Sequence, residues 1–242
     1  MQYRLVIEYD GGEYHGWQLQ ANARTVQGTL EAAVETLLGY PARLAAAGRT
    51  DAGVHAAGQV ACFHAAEVLS VDTVRRALNA LTPRDLAVRA VDVVADSFDP
   101  RRSACWRRYV YRIWNRPSLS PFWHRYAWHI PYALDVERMH AAATELLGEH
   151  DFTTFRASGC DAAHPIRRVN VSVVTRRDAM VTYEVEATAF LRHMVRNIVG
   201  TLVEIGGGRR PAPMAALLAA RDRGQAAATA PAHGLCLTDV GY

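Results

Sequence analysis

The residues best suited to chemistry lie in one short loop, where Arg49 precedes Asp51 by two positions and Gly53 follows it. Asp and Gly are favoured in tight turns, so the plain interpretation of Asp51 is a turn residue. Two features favour a catalytic carboxylate instead. The loop lies between two strand-like runs, where a rigid scaffold displays reactive groups. The neighbouring Arg49 guanidinium also favours the ionised form of the carboxylate.

Composition excludes several other kinds of chemistry. All 27 basic residues are Arg, because the chain contains no lysine, and this removes lysine Schiff bases and the P-loop lysine. The four cysteines stand singly and the ten histidines are scattered, without C-x-x-C or H-E-x-x-H spacing. We therefore expect no metal site and no disulfide framework.

Length and composition are those of an ordinary globular protein, with 242 residues, 50% hydrophobic and 21% charged, and a net charge of +3. This length suits one large domain or two lobes. No apolar run approaches the roughly 20 residues of a membrane span. The N-terminus starts with a strand-like alternation in place of a signal peptide, so we expect a cytoplasmic protein without membrane association.

Residues 101–134 combine arginines with aromatic side chains. They include seven Arg and nine of the 21 aromatic residues, and no Asp or Glu. Arg neutralises phosphates while flat rings stack on unpaired bases, so the combination favours single-stranded or looped RNA. A core strand with a solvated Arg face would show the same alternation over 108–112. The candidate phosphate ligands in this segment are Arg107, Arg108 and Arg116. A second acid-free stretch, 187–203, carries Arg192, His193 and Arg196 on one predicted helix.

Apolar periodicity places these groups on alternating strands and helices. Strands are predicted over 3–9, 42–47, 59–64, 86–94, 107–113, 168–175, 180–189 and 235–240. Helices are predicted over 26–38, 71–81, 136–147, 191–205 and 213–221. The first hundred residues follow the order β-α-β-β-α-β of a ferredoxin-like unit. A break near 98–104 predicts two lobes, 1–104 with the Asp51 loop and 105–242.

Several motifs together resemble those of one family. Residues 47–56 read AGRTDAGVHA. Further motifs are EYDG at 8–11, YHGWQ at 14–18, RRYVY at 107–111, LGEHDF at 147–152 and FLRHMVRN at 190–197. In type and order these motifs resemble those of the TruA-type tRNA pseudouridine synthases. Departures are small: Pro100 replaces an expected small residue, and Arg102 stands where the family often has an apolar or aromatic one.

The resemblance implies an α+β fold, in which two ferredoxin-like (RRM-like) lobes form a continuous mixed sheet with a central active-site cleft. It implies an isomerase that converts uridine to pseudouridine at positions 38, 39 and 40 of the tRNA anticodon stem-loop. In that reaction the N-glycosidic bond breaks, and C5 of the uracil joins C1′ of the same ribose. The resemblance also implies a homodimer with tRNA as its partner, and neither a metal nor another cofactor.

The resemblance assigns roles to five residues. Asp51 corresponds to the catalytic carboxylate, which either attacks C1′ or takes a ribose proton; the sequence leaves both routes open. Arg196 corresponds to its ion-pair partner, and its ordinary interpretation is a phosphate-facing helix Arg. Tyr109 corresponds to the residue that stacks on the target uracil, with a hydroxyl able to assist loss of the C5 proton, and its ordinary interpretation is a core tyrosine. Arg49 would fill the space that a flipped base vacates, and Leu191 would pack against that base.

Two other classes of function stay open from the residues alone. An RRM-like RNA-binding module would explain residues 101–134 but does not need Asp51, and the RRM signature with its Gly-Phe pattern is missing. A glycosidase or nucleoside hydrolase also cleaves a glycosidic bond. Such enzymes usually need a second carboxylate or a metal, and the sequence offers no partner Asp or Glu near Asp51. Analysis of nuclease-digested product distinguishes the three, as pseudouridine, free uracil or unchanged uridine.

Overall fold

The computed structural model describes residues 1–210 and 213–242. Contacts divide the chain into two compact units, one formed by residues 1–105 with 236–242 and the other by residues 106–235. The first unit thus takes in the last strand of the chain. The division by function, into a lobe of 1–104 that carries the Asp51 loop and a lobe of 105–242, stays a prediction.

Strands and helices follow one another along the chain, which confirms the predicted α+β class. The strands are β1 (Gln2–Tyr9), β2 (Ala45–Ala46), β3 (His55–His64), β4 (Leu86–Val94), β5 (Trp106–Asn115), β6 (Trp128–Ile130), β7 (Gly148–Asp151), β8 (Ile166–Arg177), β9 (Met180–Ala187) and β10 (Leu235–Gly241). The helices are α1 (Val26–Leu38), α2 (Val71–Leu81), α3 (Val136–Thr144), α4 (Met194–Gly206) and α5 (Met214–Ala220). Within the described ranges, no helix is long and apolar enough to cross a membrane.

The sheet of the first unit has the strand order β4-β1-β3-β10. Strand β1 runs antiparallel to both β3 and β4, whereas β10 runs parallel to β3. Short β2 is added to the sheet through two antiparallel pairs with β3. On β1 every second side chain is buried, as the alternation predicts, and Tyr3, Leu5 and Ile7 are inaccessible to solvent. Helix α2 packs against β4 and α1, and these contacts enclose the core of this unit.

Side-chain caps fix the helix ends of the first unit. Thr25 Oγ1 accepts a hydrogen bond from Gly28 N at the start of α1, and Ser70 Oγ accepts one from Thr73 N at the start of α2. Each such cap contributes about 1 kcal/mol. Gly39 ends α1 with a φ of +78°, a conformation that glycine adopts without steric cost. The predicted spans 26–38, 71–81 and 86–94 are all confirmed.

The sheet of the second unit has the order β5-β9-β8-β7, with each neighbouring pair antiparallel. Strand β6 is added parallel to β5. Helix α3 packs against β8 and α4, and Ser172 Oγ donates to the carbonyl of Ala143 across that contact (2.7 Å). Strand β5 alternates between a buried face, with Tyr109, Tyr111 and Ile113, and a half-exposed face. The aromatic side chains therefore serve the core of this unit as well as any site.

The predicted helix over 191–205 is wrong at its start, because α4 begins only at Met194. His193 has a φ of +59°, in the left-handed region, and this interrupts any helix that would run through it. Met194 N donates to the carbonyl of Leu191 in a turn that precedes the helix. Leu191 and Arg192 therefore lie in that turn, and of the predicted row of basic residues only Arg196 is on α4.

The remaining differences between the predicted and observed elements concern short strands and the ends of elements. The predicted strand over 42–47 shrinks to β2, and β3 begins at His55, before the predicted 59, so the end of the AGRTDAGVHA motif already pairs in the sheet. Helix α3 ends at Thr144, before the predicted 147, and β7 begins at Gly148 with a φ of +97°. Strands β6 and β7 were not predicted, because strands of three and four residues are too short to display an alternation of apolar and polar positions.

Candidate active site

The Asp51 loop, residues 48–54, joins β2 to β3 in the first unit. Backbone hydrogen bonds tie it to the segment between β1 and α1. Trp17 N donates to the carbonyl of Thr50 (3.0 Å), and Gly53 N donates to the carbonyl of Tyr14 (3.2 Å). These two bonds lie on either side of Asp51 in the chain. The main chain on both sides of the carboxylate is therefore fixed by main-chain partners.

Two glycines of the same segment allow this close approach. A Cβ atom at Gly11 would overlap the carbonyl oxygen of Val54. At Gly16, where φ is +84°, a Cβ atom would lie 2.6 Å from the carbonyl oxygen of Thr50. Only a residue without a side chain lets two backbones meet at these distances. The EYDG and YHGWQ motifs thus supply the surface on which the Asp51 loop is built.

Buried side chains complete the support of the loop. The hydroxyls of Tyr9 and Thr50 lie 2.8 Å apart, and burial raises the pKa of Tyr9, so this phenol stays neutral at physiological pH. Nδ1 of His55 accepts a hydrogen bond from Gly11 N (3.0 Å), and Asp10 Oδ1 lies 3.1 Å from the same atom. Thr50 and His55 are both buried, whereas Asp51 between them is half-buried.

Arg49, the remaining candidate of the first unit, is exposed at the edge of the loop. The carbonyl of the preceding Gly48 accepts a hydrogen bond from Gln59 Nε2 (2.9 Å), and Gln59 is wholly buried on β3. The backbone before Arg49 is therefore anchored while its side chain reaches solvent. A long cation on an anchored loop suits contact with a polyanion.

The second unit carries Tyr109, Leu191 and Arg196. Tyr109 lies on β5, and its ring meets the ring of Phe190 edge-on, with centroids 5.0 Å apart and an interplanar angle of 84°. Tyr109 is 9% exposed and Leu191 is 4% exposed. Phe190 was part of a recognised motif, but nothing in its spacing indicated that it packs against a residue 81 positions earlier. Within this unit, the ring of Phe190 therefore flanks the ring of Tyr109.

Tyr111 shares the buried face of β5 with Tyr109 but has a different environment. Its hydroxyl donates to the carbonyl of Pro231 (2.8 Å), and its ring is inaccessible to solvent. Burial raises the pKa of Tyr111, which the positive charge of Arg196 partly opposes. Tyr111 is therefore a core tyrosine in a neutral hydrogen bond.

Arg196 lies in the first turn of α4 and is half-buried. Its Nε donates to the carbonyl of Ala230 (2.8 Å), and Ala230 N donates back to the carbonyl of Arg196 (3.1 Å). This reciprocal pair fixes both the backbone and the guanidinium plane of Arg196. A planar guanidinium held at Nε is suited to a directed contact with an anion.

The arginines predicted to bind RNA lie in different environments. Arg107 is 8% exposed, and its Nη1 donates to the carbonyl of Thr188 (2.9 Å). Arg108 lies over the ring of Trp106 and is bonded to Glu186 (2.7 Å), with Glu184 at 3.5 Å. The acids come from β9, which pairs with β5, so an acid-free stretch of sequence is not acid-free in the fold.

Arg116 and Arg192 are both exposed. Arg116 lies over the ring of Trp114, 4.7 Å from its centroid, and that ring stacks with Trp123 (6.5 Å, 25°). Arg192 Nη1 lies 3.3 and 3.4 Å from the carbonyl oxygens of Ser158 and Gly159. In residues 1–210 and 213–242, no group of three or more His, Cys, Asp or Glu is arranged to hold a metal ion.

Comparison with known proteins identifies relatives over the full chain. Residues 5–101 and 142–242 match the tRNA pseudouridine synthase family. tRNA pseudouridine synthase A of Myxococcus xanthus is 49% identical over 242 residues, which cover 99% of this chain and 91% of that protein. The enzyme of the same name from Azorhizobium caulinodans is 50% identical over 244 residues, covering 100% and 94%. A chain from a solved Cbf5-Nop10-Gar1 complex aligns over 83% of this chain and 54% of its own, with 11% identity and a TM-score of 0.35.

The backbone contact at Gly11 generates a prediction about the loop. Gly11→Ala places a methyl group against the carbonyl of Val54, and relieving the overlap costs about 2 kcal/mol. We expect the melting temperature to fall by about 4 to 8 °C, measured by calorimetry. Gly48→Ala, within the Asp51 loop itself, is the matched control, since a Cβ atom there has no neighbour within 4 Å. Its melting temperature should not fall, because an unstrained Gly→Ala change lowers the conformational entropy of the unfolded chain. Equal effects of the two substitutions would contradict the close packing at Gly11.

Proposed function

Because the chain belongs to the tRNA pseudouridine synthase family, we propose that it is an isomerase that converts uridine to pseudouridine in tRNA. The observation that carries the proposal is the near-50% identity to synthases of that name over the whole chain, with the Asp51 loop inside the matched range. Within tRNA, we propose positions 38, 39 and 40 of the anticodon stem-loop, which the AGRTDAGVHA loop and the accompanying motifs support. A tRNA substrate also supports a cytoplasmic location.

The reaction defines what the site residues must do. The N1–C1′ bond of the uridine breaks, the uracil turns, and C5 bonds to C1′. C5 loses a proton and N1 gains one, so the product is an isomer and no redox cofactor is consumed. We propose Asp51 as the carboxylate that attacks C1′ or takes a ribose proton, and both routes need its ionised form. The Asp51 loop supports this role because main-chain bonds hold it before substrate arrives.

The other proposed roles concern the substrate base and its charge partners. A uridine within the stem-loop must leave its stack to reach a carboxylate. We propose that the exposed Arg49 fills the vacated space and that Tyr109, held edge-on by Phe190, stacks on the uracil with Leu191 beside it. Arg196 is proposed as the ion-pair partner of Asp51. We also propose a homodimer, as the resemblance implies, and sedimentation analysis tests it.

Replacing Asp51 tests the chemical step. Asp51→Asn keeps the shape and polarity of the side chain but removes its charge, so isomerisation should vanish while tRNA binding survives. Release of tritium from C5-labelled tRNA measures the reaction, and filter binding measures affinity. Asp72→Asn, at an exposed position of α2, is the matched control and should leave both unchanged. Turnover by Asp51→Asn at the rate of the unaltered enzyme would contradict the assignment of Asp51 as the catalytic carboxylate.

Replacing Arg196 tests the charge that it supplies. Arg196→Met keeps much of the bulk of the side chain but removes the cation that we propose as the ion-pair partner of Asp51. The single-turnover rate at saturating enzyme should fall about 10- to 100-fold, the equivalent of one hydrogen bond to a charged group, while tRNA binding survives. Partial rescue by Arg196→Lys would indicate charge, and no rescue would indicate the planar fork. Weakened tRNA binding with an unchanged single-turnover rate would indicate a phosphate contact and contradict an ion pair with Asp51.

Replacing Arg116 tests the proposed RNA contact of the exposed stack. Arg116→Ala should weaken tRNA binding and make the slope of log affinity against log salt shallower by about one. Arg43→Ala, an exposed Arg paired with Glu31 in the first unit, serves as the control with an unchanged slope. The buried Arg107 should instead affect folding, so Arg107→Ala is expected to lower the melting temperature. An unchanged slope for Arg116→Ala would place that side chain outside the RNA contact.

A further inference from the structure

A polar network centred on the buried Asn197 joins helix α4 to residues 226–231, which we call the strap. The strap precedes β10 and contains Ala230, the residue whose carbonyl binds Arg196. We propose that Asn197, Arg223 and Thr229 are positioning residues that set the orientation of the Arg196 guanidinium through this strap. The inference deepens the proposed function, since it rests on Arg196 as the cation of the active site.

Asn197 is the centre of the network and is inaccessible to solvent. Its Nδ2 donates to the carbonyl of Phe155 (2.8 Å). Its Oδ1 accepts two hydrogen bonds, from Thr229 Oγ1 (2.7 Å) and from Arg223 Nη2 (3.1 Å). Both lone pairs of the amide oxygen are thus used, which leaves the side chain a single orientation. A buried amide satisfied in this way makes its surroundings rigid.

Arg223 binds the network from the other side of the strap. Its Nη1 donates to the carbonyl of Ala227 (3.1 Å) and lies 3.3 Å from that of Ala226. Its Nη2 reaches both Asn197 and the hydroxyl of Thr229 (3.3 Å). One guanidinium therefore connects the start of the strap to its later part. Loss of the hydrogen bonds of either Nη1 or Nη2 of Arg223 would loosen the strap from α4.

The strap also touches α4 through its backbone, one turn further along the helix. Ala227 N donates to Thr201 Oγ1 (3.2 Å), and Thr201 lies four residues after Asn197 on the same helix face. At Gly200, a Cβ atom would overlap the carbonyl oxygen of Ala228. The strap and the helix are consequently in contact without intervening side chains, so a shift of one moves the other.

These contacts converge on the carbonyl of Ala230. Thr229 before it is bound to Asn197, and Pro231 after it accepts the hydroxyl of Tyr111. The carbonyl that receives Arg196 Nε therefore lies between two anchored residues. Because Nε lies in the guanidinium plane, the position of that carbonyl sets the direction of the whole fork. A small displacement at Thr229 is expected to turn the cation away from its working direction.

The test removes the hydroxyl that joins Asn197 to Arg223. Thr229→Val keeps the shape of the side chain but deprives Asn197 Oδ1 of a donor and Arg223 Nη2 of an acceptor. We expect the single-turnover rate of tritium release at saturating enzyme to fall about tenfold, the equivalent of one hydrogen bond. The affinity for tRNA should change less than about twofold. Thr229→Ser restores the hydroxyl and should return most of the rate, and Thr175→Val, exposed on β8, is the control.

A double-substitution cycle decides whether Thr229 acts through Arg196. In the Arg196→Met background, Thr229→Val should cause no further loss of rate, because the group it orients is absent. Losses that simply add, or a Thr229→Val rate equal to the unaltered enzyme, would overturn the inference. Should the Val variant fail to fold, Thr229→Ala takes its place in the cycle. If the unaltered enzyme releases no tritium, the proposed function itself fails, which is a different result from an active enzyme insensitive to Thr229.

Discussion

The direct packing of backbone on backbone at Gly11 and Gly16 is the contact on which the Asp51 loop depends. Where no Cβ atom intervenes, the carbonyls of Val54 and Thr50 approach the main chain at Gly11 and Gly16, and the Thr50 carbonyl accepts a hydrogen bond from Trp17 N beside this contact. A main chain held by main-chain partners has no rotamers to sample, so the loop does not vary with side-chain conformation. The carboxylate is then displayed from a support that needs no rearrangement, which is what electrostatic catalysis demands.

Arg196 needs a different kind of support from the Asp51 loop, because its charge lies at the end of a long and flexible side chain. Ordering such a chain costs up to about 2 kcal/mol of rotamer entropy. Anchoring Nε to a backbone carbonyl removes much of that freedom in the folded state, before any substrate binds. The first unit thus fixes the loop of Asp51, the proposed catalytic carboxylate, through glycines and the main chain, whereas the second fixes Arg196 through a side-chain network around Asn197.

Features that depend on residues close together in the sequence were predicted correctly. Helices α1 and α2 were predicted to the residue from apolar periodicity, and Thr25, Ser70 and Gly39 cap them at the positions where that periodicity begins or ends. The start of α4 was not predicted correctly, because hydrophobic periodicity does not reveal the positive φ of His193. The motif of the Asp51 loop was visible, but its partners were not, because hydrogen bonds between segments some 40 residues apart depend on how strands pair rather than on any repeat.

The distribution of charge on β5 follows from strand register and bears on where RNA can bind. The pairing of β5 with β9 sets Glu186 opposite Arg108, so this arginine would have to leave a carboxylate before it met a phosphate. Exchanging one partner for another gains little when the first pair is partly desolvated. Arg107 is bound to a backbone carbonyl on the buried face. Arg107 and Arg108 are therefore already bound within their own unit, which leaves the exposed Arg116 and Arg192 as the stronger candidates for phosphate contact.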